Sequence, residues 1–391
     1  MAIVYLDNNA TTPVLPEVLE AMLPYFSEQS GNPSSIHAYG RRALAALKQA
    51  RTSVATLLGC RTTEIVFTSG GTEGDNLALL GMVVAGDHVI TSAVEHPAIL
   101  ETCLYLERTG CEVTRVGVNS SGQVVPDEVR RALRRNTKLI SIMMANNETG
   151  VLQPVQEIGR IAKESDVWFH TDAVQAAGMI PIDVNQIGCD LLTITAHKIH
   201  GPQGTGALFV QRGTPLQAQI HGGHQENRRR PGTENVPGIV GLGRACEIVK
   251  REFEDGSVVS IASWRDKLEA AVLKQIPGTG VNGANALRIS NTSNIYFDCV
   301  GGDSLVLALD ELGIAASRGA ACNSGQTEPS SILMAMGLSG ERSRSSLRFS
   351  IGKANSEQDI DYLISVLPGA VRRLREASPF FSTSQKVVTH N

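Results

Sequence analysis

Seven cysteines occur in the 391 residues, an odd number, and no two of them form a C-x-x-C pair. That absence argues against a disulfide framework and against a standard structural zinc site. The N-terminus, MAIVYLDNNATT, has neither a basic n-region nor an apolar h-region, and no apolar run approaches the length of a membrane span. A cytoplasmic protein with no membrane contact is expected. Charge of one sign is scarce too: 35 Lys and Arg against 39 Asp and Glu leave a net −4, and the one basic run, Arg228 to Arg230, is short. Nucleic acid is therefore not an expected partner, whereas small molecules and proteins are. The chain has no P-loop, and GPQGTG and GLGRAC lack the glycine spacing of a dinucleotide site, which disfavours a nicotinamide oxidoreductase.

What is present is an ordinary globular composition, 42% apolar and 19% charged, over a length that suggests two domains. From about residue 60 to 210, apolar runs of strand length (EIVFTS, HVITSA, EVTRVGV, KLISIMMAN, VWFHTDA, LLTITAH, GALFV) alternate with amphipathic stretches. The alternation predicts an α/β domain on a largely parallel sheet. Several runs end in polar clusters, TSGGTEGDN, AVEHPA, ANNETG, HTDAVQ and ITAHK, which should converge at the carboxyl ends of the strands. After about residue 255 the texture shifts to longer amphipathic helices and short strands, as in a smaller α+β domain. Leu305, Ala308, Leu309 and Leu312 keep helical spacing, as do Ile360, Leu363, Ile364 and Leu367, and Ser356 with Asp359 reads as a capping box.

Three clusters carry chemistry. TSGGTEGDN follows a strand and opens a helix, so backbone N–H groups and the Thr72 hydroxyl can meet an anion there, a phosphate monoester rather than a pyrophosphate. TAHKIHGPQGTG puts Lys198 between an apolar strand and a Gly/Pro-rich turn, where partial desolvation lowers an amine's pKa and suits it to Schiff-base chemistry. HTDAVQ supplies Asp172 at the end of another strand, a carboxylate of the kind a pyridinium nitrogen requires. Cys322 is unlike the other six cysteines, which lie in apolar or helical settings: it sits in SRGAACNSG, among small, polar and charged residues. His221 and His224 in HGGHQEN have no Cys or acidic pair at ligand spacing, so no metal is expected there.

These motifs, in this order, closely resemble the cysteine desulfurases of the nitrogen-fixation and iron–sulfur cluster assembly type. The likeness runs from YLDNNATT through GNPSS, TSGGTE, EHPA, NNETG, HTDAVQ, AHKIHGP, RRRPGTEN and the Cys322 loop to LRFSIG. The resemblance implies a pyridoxal-phosphate enzyme of the aspartate-aminotransferase fold, with a large, mostly parallel-sheet α/β domain over 15–255. Residues 1–14 and 256–391 would form the smaller α+β domain that carries the Cys loop, about 317–330. It makes Lys198 the lysine that binds pyridoxal 5'-phosphate, Asp172 the partner of the ring nitrogen, Gln175 a donor to the ring oxygen, and Asn147 a further cofactor contact. His96 would lie over the ring and assist proton transfers. Gly71, Thr72, Thr195 and His197 would hold the phosphate, with Thr233 reaching across from the second subunit of a homodimer. Arg348 would bind the substrate carboxylate, and Asn32 would share that contact.

The implied reaction turns L-cysteine into L-alanine. Lys198 removes the Cα proton, a thiolate at Cys322 attacks the substrate sulfur, and the resulting persulfide passes to an acceptor or scaffold protein of cluster assembly. Such a loop serves two places, for which Gly319, Gly325 and the small residues between them supply freedom. It departs from the family's usual Ser-Ser-Gly-Ser-Ala-Cys at Arg318, Ala320 and Asn323, and Arg318 is expected to influence the choice of acceptor surface more than the thiol's pKa. Selenocysteine lysis or another β-elimination on the same fold would keep Lys198 and Asp172 without needing Cys322, and a non-catalytic sulfur scaffold would need none of them.

Overall fold

A computed structural model describes residues 3–256, 259–319 and 328–377. After a two-residue strand β1 (Val4–Tyr5), the seven apolar runs become β2 (Ile65–Thr68), β3 (His88–Ser92), β4 (Glu112–Val116), β5 (Thr137–Ser141), β6 (Trp168–Asp172), β7 (Leu191–Thr195) and β8 (Gly206–Val210). They form one sheet in the order β2-β8-β7-β6-β5-β3-β4. β3 to β7 are parallel, and β8 runs opposite to both its neighbours.

The strands read as continuous apolar runs because both faces of the sheet are covered. β2, β3, β7 and β8 are buried at every residue. Successive side chains go to opposite sides. Ile65 and Phe67 join a core that includes the helices Ala38–Leu58 and Val236–Asp255, and Val66 joins one with the helices Gly71–Leu80 and Pro97–Arg108. Only the edge strand β4 is largely open, and it carries Glu112 and Arg115, charges that discourage pairing with another edge.

The second half of the chain adds β9 (Thr279–Val281), β10 (Thr292–Phe297), β11 (Ile314–Ala315) and β12 (Ser346–Ser350). β12, β10 and β9 make an antiparallel sheet, and β11 pairs in parallel with β1. Val4 and Leu6 thereby enter a separate core with Phe297, Leu305, Leu347, Phe349 and Leu363. The helix Glu357–Ala377 starts where the capping box placed it, Ser356 N donating to Asp359 Oδ2 at 2.8 Å and Asp359 N to Ser356 Oγ at 3.4 Å. The helix Gly302–Asp310 buries Leu305 and Leu309 as expected but ends before Leu312, because Gly313 turns the chain at a φ of 76°.

Candidate active site

The carboxyl ends of the strands converge as a doubly covered sheet requires. β7 ends at Thr195 and passes straight into the helical turn Ala196–Lys198; β6 ends at Asp172; β2 and β3 lead to the helix starts at Gly71 and Pro97. Between them lies a cavity of about 300 Å³, lined by Gly71, Thr72, His96, Asn147, Asp172, Gln175, Thr195, His197, Lys198 and Arg348 together with Asn9, Ala10, Asp75, Met143, Val174 and Gly319. Ten of the residues expected from the sequence thus meet in one place. Asn32 and Thr233 do not: both are exposed and line no part of this cavity. Cys322 lies outside the described residues, three positions beyond Gly319.

Lys198 is held by main chain from the far N-terminus. Its Nζ donates to the Ala10 carbonyl at 2.8 Å and to that of Asn9, which also accepts from Gln175 Nε2 at 3.1 Å. Thr12 fastens the same segment to the lysine turn, its N and Oγ1 both donating to the His197 carbonyl, at 2.9 and 3.0 Å. Asn9 is 2% exposed and donates from Nδ2 to Thr292 Oγ1 at 2.8 Å. Sequence reasoning assigned no role to Asn9 and Ala10, although YLDNNATT was among the motifs; their part is played by backbone carbonyls, which side-chain patterns do not reveal.

Asp172 Oδ1 accepts from Val174 N at 2.8 Å. Burial raises its pKa, and His96, the Val174 N–H and Lys198 pull it part of the way back. His96 caps the helix Pro97–Arg108, its Nδ1 accepting from Ala98 N at 3.1 Å, so the neutral ring carries its proton on Nε2. Burial holds the ring below the usual histidine pKa, Asp172 opposing and Lys198 reinforcing the shift. His197 is pushed down to about 4 by burial and by Lys198.

Gly71 and Thr72 begin the helix Gly71–Leu80, where N–H groups lack helical acceptors. A Cβ on Gly71 would stand 2.9 Å from Val174 Cγ2, so the bare backbone is what keeps the cradle open. Thr195 Oγ1 donates to the Thr205 carbonyl at 3.1 Å. Asn147 Oδ1 is buried with no hydrogen-bond partner among the described residues. Such an orphan costs roughly 1–3 kcal/mol unless a bound group completes it. A lysine amine, a buried carboxylate, a helix N-terminus and an incomplete amide fit a phosphorylated pyridine aldehyde in chemistry and in placement.

A buried polar layer stands behind the cavity. His170 is pushed down to about 3 by burial; its Nδ1 lies 2.9 Å from Ser141 Oγ and its Nε2 3.0 Å from Thr193 Oγ1. Because that ring is neutral, its 3.6 Å approach to Asp75 Oδ1 is not an ion pair. Burial and the charge on Asp172 raise the Asp75 pKa in turn.

Arg318, singled out in the sequence for its departure from the family's usual loop, is paired within the chain. Its side chain is 16% exposed, and Nη1 donates to Asp303 Oδ2 at 2.8 Å.

A profile of the aminotransferase class-V family matches residues 4–363. The chain is 50% identical over 380 residues to a cysteine desulfurase IscS of Methanosarcina thermophila, covering 96% of this chain and 94% of that one. It is 49% identical over 383 residues to a cysteine desulfurase of a Nostoc species, covering 97% and 96%. Among solved structures, a NifS-like protein superposes with a TM-score of 0.87 at 36% identity, covering 95% of this chain and all of its own. SspA, solved in complex with cysteine, superposes at 0.78 with 37% identity, covering 89% and 98%. With this likeness carried over nearly its whole length, the chain belongs to the aminotransferase class-V family and, within it, to the cysteine desulfurases.

Proposed function

We propose that the chain binds pyridoxal 5'-phosphate on Lys198, converts L-cysteine to L-alanine, and carries the released sulfur as a persulfide on Cys322. The observation that carries this reading is a single cavity holding Lys198, Asp172 and Gly319. From Gly319 the chain reaches Cys322 in three residues, at most about 11 Å of backbone. The bound cofactor supplies an electron-accepting ring that weakens the Cα–H and Cβ–S bonds of an attached amino acid. Gly71, Thr72, Thr195 and His197 hold its phosphate, Asp172 keeps the ring nitrogen protonated, and Gln175 and Asn147 contact the ring substituents.

Lys198 Nζ takes the Cα proton and returns one, and the Nε2–H of neutral His96 is placed to donate. Arg348 orients the substrate carboxylate. The Cys322 thiolate attacks the substrate sulfur: the Cβ–S bond breaks, an S–S bond forms, the electron pair stays on Cβ, and Cβ takes up one proton, equivalent to the one the Cys322 thiol gave up. L-cysteine and the Cys322 thiol thus become L-alanine and the Cys322 persulfide. We further propose a cytoplasmic homodimer in which Thr233 completes the partner subunit's phosphate site, a protein acceptor of the sulfur used in cluster assembly, and a division into domains near residues 15 and 255.

The test is purified protein given L-cysteine, with alanine quantified and the sulfur located by mass spectrometry, after borohydride trapping has identified the labelled lysine. Alanine equal to the persulfide on Cys322, and label on Lys198, are expected. Undiminished persulfide formation by Cys322→Ser, or label on another lysine, overturns the reading.

A further inference from the structure

Gly319 and Glu328 are the two ends from which the Cys322 segment springs, and one side chain joins them. Arg318 donates from Nη2 to the Glu328 carbonyl at 3.2 Å while its Nη1 is bound to Asp303 Oδ2 at 2.8 Å. Asp303 lies in the first turn of the helix Gly302–Asp310, so both ends are tied to that helix. The stem of the arginine passes over Gly302, where an added Cβ would stand 3.3 Å from Arg318 Cγ. A second tie lies beneath. Ser330 Oγ donates to buried Glu148 Oε2 at 2.6 Å, and a Cβ on Gly319 would stand 3.1 Å from Glu148 Cγ. Gly319 also lines the cavity, so these ties fix where the segment leaves it.

We propose that Arg318 is a positioning residue for sulfur transfer: its guanidinium bridges Asp303 and the Glu328 carbonyl and so holds the two ends of the Cys322 segment at a fixed separation beside the cavity. The inference rests on Cys322 being the sulfur carrier. The planar fork serves its two acceptors from two separate nitrogens in fixed directions, whereas a lysine would have to meet both from one atom on a shorter side chain. The bond to Asp303 holds Arg318 against the helix Gly302–Asp310. An end that wanders spends less of its time within reach of the substrate sulfur, which slows transfer, while Lys198, Asp172 and Gly71 on the large sheet make no bond to Arg318.

The experiment compares holoenzyme of wild type, Arg318→Ala, Arg318→Lys and Asp303→Ala in single-turnover formation of the Cys322 persulfide. Alongside it run the pH dependence of Cys322 alkylation and limited proteolysis within 319–328. Arg318→Ala is expected to slow persulfide formation about three- to tenfold, with cofactor absorbance and the alkylation profile unchanged and with faster cleavage of the segment. Arg318→Lys stays slow, and Arg318→Ala combined with Asp303→Ala is no slower than Arg318→Ala alone. An unchanged rate, a shifted alkylation profile, or full recovery with lysine overturns the proposal. If wild type itself places no persulfide on Cys322, the functional reading fails and this inference falls with it; if wild type does so and Arg318→Ala matches it, only this inference fails.

Discussion

Arg348 donates from Nη2 to Asp7 Oδ1 at 2.6 Å, joining two residues 341 positions apart. Its Nη1 meets the carbonyls of Asn147 at 2.9 Å and Gly319 at 3.3 Å, and its Nε, buried, has no partner among the described residues. The guanidinium is therefore not an idle fork: the protein takes three bonds from it, and a substrate carboxylate held as proposed would use what is left. Arg348→Lys removes that remainder while keeping the charge. The KM for cysteine is expected to rise about tenfold or more, roughly 1.4 kcal/mol or above, with bound cofactor near the wild-type level by visible absorbance. Normal KM with lost cofactor would reverse the assignment.

Gly71 separates the cofactor cradle from Val174 by the space a methyl group would take. Gly71→Ala should lower the cofactor bound per chain, because either the new Cβ or a displaced Val174 intrudes where both residues line the cavity. Overpacking of this kind costs about 1–3 kcal/mol, and here it should appear in cofactor titration more than in apoprotein unfolding. Equal titration curves for the two proteins would remove Gly71 from the cradle.

Glu95 is buried near this site, accepting from Ser92 Oγ at 2.5 Å and from Met143 N at 3.0 Å. Burial pushes its carboxyl up to about 8, against the pull of those two donors and with a further push from Asp172. Since the folded-state pKa stands above the unfolded value of about 4.3, the folded state holds this proton more tightly. The associated stability is full below about pH 4 and is lost as pH rises toward 8. Glu95→Gln keeps the shape without the titration. Between pH 5 and pH 8 the melting temperature of wild type should fall relative to Glu95→Gln, by about 3–5 °C. Parallel pH profiles for the two would mean that Glu95 is ionised throughout.

How far the molecule could be read from its sequence depended on what kind of group does the work. The strands β2 to β8 were legible because a strand buried on both faces is an unbroken apolar run, and the capping box at Ser356 marked its helix to the residue. Lys198 and Asp172, picked out from the residues, and His96, named through the resemblance, do stand at or just beyond the ends of strands and around one cavity. The carbonyls of Asn9 and Ala10 on Lys198 were not legible, since any residue supplies a carbonyl. Nor was the bond of Arg348 to Asp7, or that of Arg318 to Asp303, because a charge in a sequence does not name its partner. Asn32 was expected near Arg348 and instead turns into its own loop, Oδ1 accepting from Ser34 N at 2.9 Å.

The pairing of the first strand with residues near 314 and 350 has a consequence for synthesis. Val4 registers with Ile314, and Ser350 N donates to the Leu6 carbonyl at 2.7 Å. Asn9 and Ala10, which hold Lys198, follow directly on that strand. On the ribosome the first ten residues emerge long before their partners, at about 5–20 residues per second. The seven-stranded sheet can close with its lysine present but unrestrained, and only when residue 350 has cleared the exit does the N-terminus find its place. The carbonyls that hold Lys198 are thus seated by residues made late, and a chain cut before β12 keeps Lys198 and Asp172 on the large sheet but lacks the strand that fixes Asn9 and Ala10 beside them.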